Sequence, residues 1–115
     1  MKYMLLIYNN PAFMSELSEQ ERTDLFGEVD AIMKELSESG ELVGGDALAD
    51  PSTTKTIRLR GGQPAVTDGP FMESKEQIGG FALIECEHLD DAIAVAARHP
   101  FAAHGVVEVR PVWDE

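Results

Sequence analysis

Asp68-Gly69-Pro70-Phe71, followed closely by Glu73, Lys75 and Glu76, is the stretch of this 115-residue chain where residue types and spacing could do chemistry. A carboxylate held in a semi-enclosed cleft beside Lys75 or Glu76 has its proton affinity set by burial and neighbouring charge, so Asp68 is a candidate general acid or base. The same residues also build a stiff corner. Asp68 can accept backbone hydrogen bonds in an Asx turn, Gly69 before Pro70 is expected to be extended, and Phe71 can plug the core. His104, in the run His99-Pro100-Phe101-Ala102-Ala103-His104-Gly105 that leads to the last strand, is a candidate second titrating group; read structurally, it caps a loop. Four of the nine basic residues, Lys55, Arg58, Arg60 and Lys75, fall between positions 55 and 75, where Asp68 and Glu73 are the only acids. Arg58 and Lys75, with Arg110 from the last strand, are therefore candidate ligands for a small anion. Alternatively they are solvated strand-edge charges that discourage edge pairing. Glu108 and Arg110, two apart on one strand, share a face and could pair across an interface or line a cleft.

Other chemistries lack their signatures. His88, His99 and His104 do not show the i, i+4 spacing of a helical zinc motif, and Cys86 near His88 has no matching pair, so no metal is expected. There is no phosphate-binding glycine loop, nucleophile elbow or dinucleotide fingerprint, and no cofactor is expected. Tyr3, Tyr8, Phe71 and Trp113 could stack on an aromatic ligand or pack in the core.

A formal charge of −12 repels phosphate backbones and anionic lipid, which argues against nucleic-acid or membrane partners. The apolar start Met1 to Tyr8 runs at once into Asn9-Asn10-Pro11 and reads as a buried strand, not a signal peptide. The lone Cys86 cannot form an internal disulfide, which fits a reducing cytoplasm; it reads as a small buried hydrophobe.

The elements that must position these residues are legible from periodicity. Residues 2–8 form a strand with two apolar faces, Tyr3, Leu5 and Ile7 against Met4, Leu6 and Tyr8. Ser18 and Glu21 make a capping box for a helix running to about Ser39, with Leu25, Phe26, Val29, Ile32, Met33 and Leu36 on its inner stripe. Strands follow at 41–48, 54–60 and 64–67, then a loop at 68–79 and a strand at 80–86 that is again apolar on both faces. A helix at 90–99 turns Leu89, Ala92, Ile93 and Ala96 inward, Pro100 stops it, and 106–112 is the last strand. The length and the absence of repeats or linkers indicate a single domain over 1–115.

The order β-α-β-β-α-β with an extra hairpin strand predicts an α+β, ferredoxin-like antiparallel sheet with two helices on one face. Two helices cover one face only, while the strands at 2–8 and 80–86 are apolar on both. An identical sheet packed face to face would cover the other, giving a homodimeric α+β barrel.

The Asp68-Gly69-Pro70-Phe71 tetrad, taken with Gly79-Gly80-Phe81 and Val107-Glu108-Val109-Arg110-Pro111, resembles the DGPF group of the YCII-related family, and the likeness runs from Met1 to Val112. The resemblance implies a dimeric α+β barrel, often encoded near extracytoplasmic-function sigma factors, with no settled activity. Some members carry a histidine on the first helix and an aspartate in a shared cleft. Residues 19–39 here contain no histidine, and Glu28 takes the nearest counterpart position. Two functional expectations follow. The first is a dimer binding a small anionic organic ligand in a sigma-factor-linked stress response. The second is a cofactor-independent enzyme using Asp68 as acid or base, with Arg58, Arg110 or Lys75 orienting the anion and His104 assisting.

Overall fold

A computed structural model describes residues 1–113. The elements run β1 (Lys2–Asn9), α1 (Pro11–Glu16), α2 (Glu19–Glu38), β2 (Leu42–Ala47), a 3-10 turn (Pro51–Thr53), β3 (Lys55–Arg60), β4 (Gln63–Asp68), β5 (Gln77–Glu85), α3 (Leu89–Arg98), α4 (Phe101–His104) and β6 (Val106–Pro111). Strands β2, β5, β1 and β6 form one antiparallel sheet in that order, the ferredoxin-like arrangement that the sequence predicts.

Local chemistry starts and stops the elements. Ser18 Oγ accepts from Glu21 N–H at 3.1 Å while the Glu21 carboxylate accepts from Ser18 N–H at 3.0 Å, so the expected capping box opens α2. The buried stripe Leu25, Ile32 and Leu36 then sits on Tyr3, Leu5 and Ile7 of β1, with Ala82 and Ile84 of β5 beside them. Leu5, Leu36 and Ile84 are sealed from solvent, each burial worth roughly 1.5–3 kcal/mol. Cys86 belongs to this core, and burial pushes its thiol pKa up, as an inert packing residue requires.

Helix α3 buries Ala92 and Ala96 as expected but is rotated away from the other two expected positions. Ala92, Val95 and Ala96 are the buried residues, whereas Leu89 and Ile93 are about half exposed. The small residues let the helix lie close to the sheet, and the stripe 92, 95, 96 continues at helical spacing to His99. The short helices α1 and α4 lie where the sequence suggested loop. Asn10 Oδ1 accepts from Ala12 N–H at 2.9 Å with Pro11 at the first helical position, which starts α1.

The hairpin β3–β4 is not part of the main sheet but a separate two-stranded ribbon. Ile57, Leu59 and Val66 are mostly exposed on it, Leu59 at 73%. The ribbon accounts for a radius of gyration of 16.0 Å, against about 13 Å for a compact chain of this size. The molecule is only 19 Å along its thin axis, the depth of one sheet and one helix layer. Met4, Leu6 and Tyr8 of β1, and Phe81 and Leu83 of β5, therefore lie half-buried on a sheet face that no helix among the described residues covers. Among the described residues, no helix is long and apolar enough to cross a membrane.

Candidate functional site

The candidate residues named from sequence lie at separate places. Asp68 ends β4, exposed, and pairs with Lys55 directly across the hairpin. Gly69 follows with φ +90°, a left-handed conformation that glycine adopts without strain, and its N–H donates to Thr54 O at 2.8 Å. This differs from the extended φ expected before Pro70. Phe71 is 65% exposed and does not plug the core; the Arg58 guanidinium lies 4.9 Å above its ring centroid. Lys75 is exposed on the following loop. Arg110 sits on the uncovered face of β6 opposite Met4, and the His104 ring stacks on Phe13 at 5.2 Å. Glu28 is exposed on α2. None of Asp68, His104, Arg58, Lys75 and Arg110 lines either of the two large cavities.

The smaller cavity, about 560 Å³, lies where the 69–76 loop meets the uncovered sheet face. Pro70, Phe71 and Glu76 form one wall, and Tyr8, Val106 and Glu108 another. The Glu108 carboxylate beside the Tyr8 hydroxyl holds the phenol pKa above its ordinary value, with burial adding to the effect and Arg110 opposing it. Glu76 Oε2 is buried with no partner among the described residues.

The larger cavity, about 740 Å³, lies on the helix side between α2 and the β2–β5 edge. Its apolar lining includes Phe26, Val29 and Met33 of α2, Met14 of α1, and Phe101. Gly45 keeps this edge tight: it has φ +150°, and a β-carbon there would collide with the carbonyl oxygen of Phe81. Arg22, Asp30, Asp46 and Asp50 supply the charged part of the lining, all four exposed. Arg22 is anchored by donating to Leu17 O at 3.1 Å.

His99 is the polar group deepest in this lining, 3% exposed. It occupies the joint between α3 and α4, where the following Pro100 forces an extended backbone (φ −70°, ψ 131°) that ends α3 and turns the imidazole into the core. The Phe101 N–H donates to His99 Nδ1 at 3.1 Å, so Nδ1 holds the lone pair and the proton resides on Nε2. Burial pushes the His99 pKa below 6.5, which keeps the ring neutral near pH 7. Nε2 is buried and has no hydrogen-bond partner among the described residues. An unpaired buried donor costs about 1–3 kcal/mol. The arrangement can offer one fixed, neutral N–H donor to an acceptor atom beside the apolar part of the cleft lining.

The signal for His99 in the sequence was its place three residues after Ala96 on the small-residue stripe of α3. A stripe of Leu89, Ala92, Ile93 and Ala96 shares Ala92 and Ala96 with the buried face but is rotated toward the bulky residues, away from Val95 and His99. Among the described residues, no three His, Cys, Asp or Glu side chains group as metal ligands would.

Comparison with known proteins agrees with this architecture. The chain is 35% identical over 114 residues, 97% of its own length and 92% of the other, to the uncharacterized protein R00369 of Rhizobium meliloti (strain 1021). Its fold matches 5-chloro-2-hydroxyhydroquinone dehydrochlorinase (TftG) from Burkholderia phenoliruptrix AC1100, solved in complex with 2,5-dihydroxybenzoquinone. That match has a TM-score of 0.57 at 18% identity and covers 99% of this chain and 94% of the other. Residues 1–115 match the YCII-related domain, and the chain belongs to that family.

Proposed function

We propose that this YCII-related domain binds a small organic molecule in the cleft beside His99, and that a second copy of the chain covers the open face of its sheet. The observation that carries the binding site is the imidazole itself: almost completely buried, locked in one tautomer, and with its remaining N–H unpaired beside a cavity of about 740 Å³. Cavities of roughly 300–1,000 Å³ with apolar walls and few fixed polar groups are the usual form of small-molecule sites. A structure of similar fold holds a quinone, in the Burkholderia dehydrochlorinase, which supports the size class. The acid–base reading centred on Asp68 has less support, because that carboxylate is exposed, paired with Lys55 and outside both cavities.

Support for a second copy comes from the half-buried Met4, Leu6, Tyr8, Phe81 and Leu83, which form one continuous apolar surface with no layer above it. An identical face would bury it symmetrically and would also enclose the Tyr8–Glu108 cavity.

The binding site is tested by NMR with a panel of benzene-sized compounds. Shift changes centred on His99, Val29 and Phe101 are expected. Changes confined to Tyr8, Phe71 and Glu108 would move the site to the sheet face and contradict the assignment.

A further inference from the structure

The chemistry of the cleft's own groups constrains what it takes. Among the described residues Arg22 is the one cation in its lining, alongside Asp30, Asp46 and Asp50. Asp50 accepts from Ser52 N–H at 2.9 Å, which holds its pKa down and keeps it charged. One guanidinium against three carboxylates, in a chain carrying −12, gives an anion a repulsive field to enter. A cation such as an ammonium would bring only donors to a site whose deepest polar group, His99 Nε2–H, is itself a donor. Burying either ion against Phe26, Val29 and Phe101 adds a desolvation cost. An uncharged molecule with an acceptor oxygen avoids all three penalties and removes the cost of the unpaired N–H.

We propose that the ligand is an uncharged, largely apolar molecule bearing a carbonyl-type oxygen, and that this oxygen accepts the hydrogen bond from His99 Nε2. The proposal rests on the assignment of the His99 cleft as the binding site. It differs from the anionic ligand expected from sequence, because Arg58, Lys75 and Arg110, which suggested an anion, do not line the cleft. Nε2 is shielded from water in the unliganded chain, so a ligand oxygen reaches it as neighbouring side chains give way. Met14 and Met33 in the lining are unbranched and adapt readily.

Three ring-matched probes test this with the full chain: acetophenone, which is neutral with an acceptor, ethylbenzene, which is neutral without one, and benzoate, which is an anion. Titrations followed by backbone amide shifts and by the His99 imidazole nitrogen shifts are expected to show acetophenone binding roughly three- to tenfold more tightly than ethylbenzene. Acetophenone alone moves the Nε2 resonance, and benzoate binds most weakly. In His99→Asn the side-chain oxygen can still accept from Phe101 N–H, while the amide NH2, on a shorter side chain, no longer reaches the position of Nε2. Acetophenone should then lose its advantage over ethylbenzene. Should this variant fail to fold, the wild-type probe ranking and the Nε2 shift decide. Benzoate binding more tightly than acetophenone, or acetophenone and ethylbenzene binding equally with Nε2 unmoved, overturns the neutral-acceptor proposal and leaves the cleft as the site. If all three leave the cleft unperturbed, both readings fall.

Discussion

The two faces of β1 carry nearly the same hydrophobicity and meet different fates. Tyr3, Leu5 and Ile7 point toward the helices and are buried, Leu5 at 0% exposure, whereas Met4, Leu6 and Tyr8, from the same strand, are only half-buried. The residues differ little, so the contrast comes from what lies above them. Helices α2 and α3 roof one face, and a 19 Å thickness leaves no third layer for the other. Within one chain, then, the helix side holds the fold together and houses the His99 cleft, while the opposite side is the surface assigned to a second copy. Apolar pattern shows that a face wants covering; which partner covers it depends on the count of helices.

Substitutions on the two faces break or sharpen this contrast. Leu5→Ala, in the sealed core, is expected to cost about 2–5 kcal/mol in urea unfolding of dilute protein. Leu6→Ala should cost less than half as much at the same dilution, and its cost should grow with protein concentration if copies pair through that face. Equal and concentration-independent losses would show that the two faces are covered alike within one chain. Leu6→Arg places a charge in the proposed interface and is expected to shift sedimentation from dimer to monomer while the helical circular dichroism signal persists. An unchanged sedimentation coefficient would remove this face from the interface. On the helix side, Gly45→Ala should destabilise by roughly 1–3 kcal/mol, because its β-carbon meets the Phe81 carbonyl. A neutral effect there would mean that the β2–β5 edge is looser than described.

The smallest expected effect is on pH dependence, and its sign is fixed by burial. His99 has a folded-state pKa below its usual 6.5, so below that pH the unfolded chain binds a proton that the folded chain refuses. Stability attributable to His99 is full above pH 6.5 and is lost as pH falls through the folded pKa. Comparing wild type with His99→Asn isolates the term, since the carboxylates titrate in both. The variant should lose less stability on acidification, and parallel curves would contradict the assignment.

Much of this architecture could be read from residues alone. The two-sided strand at 2–8 and the Ser18–Glu21 box are local patterns that stand as expected, and of the stripe Leu25, Phe26, Val29, Ile32, Met33 and Leu36 all but the exposed Phe26 are buried or half-buried. The hairpin strands were also legible, but their detachment from the main sheet was not. Alternation in β3 shows that Ile57 and Leu59 share a side without showing whether anything packs on it. Charge and the Asp68-Gly69-Pro70-Phe71 turn point to candidate site residues, but in the fold that turn holds an ion pair across a ribbon. Pro70 and Phe71 do reach a cavity, though not the one with His99. That residue stayed hidden because its importance depends on long-range geometry. The rotational phase of α3 and the backbone turn at Pro100 together decide that this histidine, and not His104, points inward.

The central claim is a neutral imidazole with its proton on Nε2, poised beside the cleft. Long-range proton–nitrogen NMR of the His99 ring, recorded from pH 7.5 down through 6.5, tests it most directly. The neutral form, with Nδ1 unprotonated and the proton on Nε2, is expected to predominate throughout that range. An imidazolium already dominant at pH 6.5, or a proton residing on Nδ1, would contradict the account.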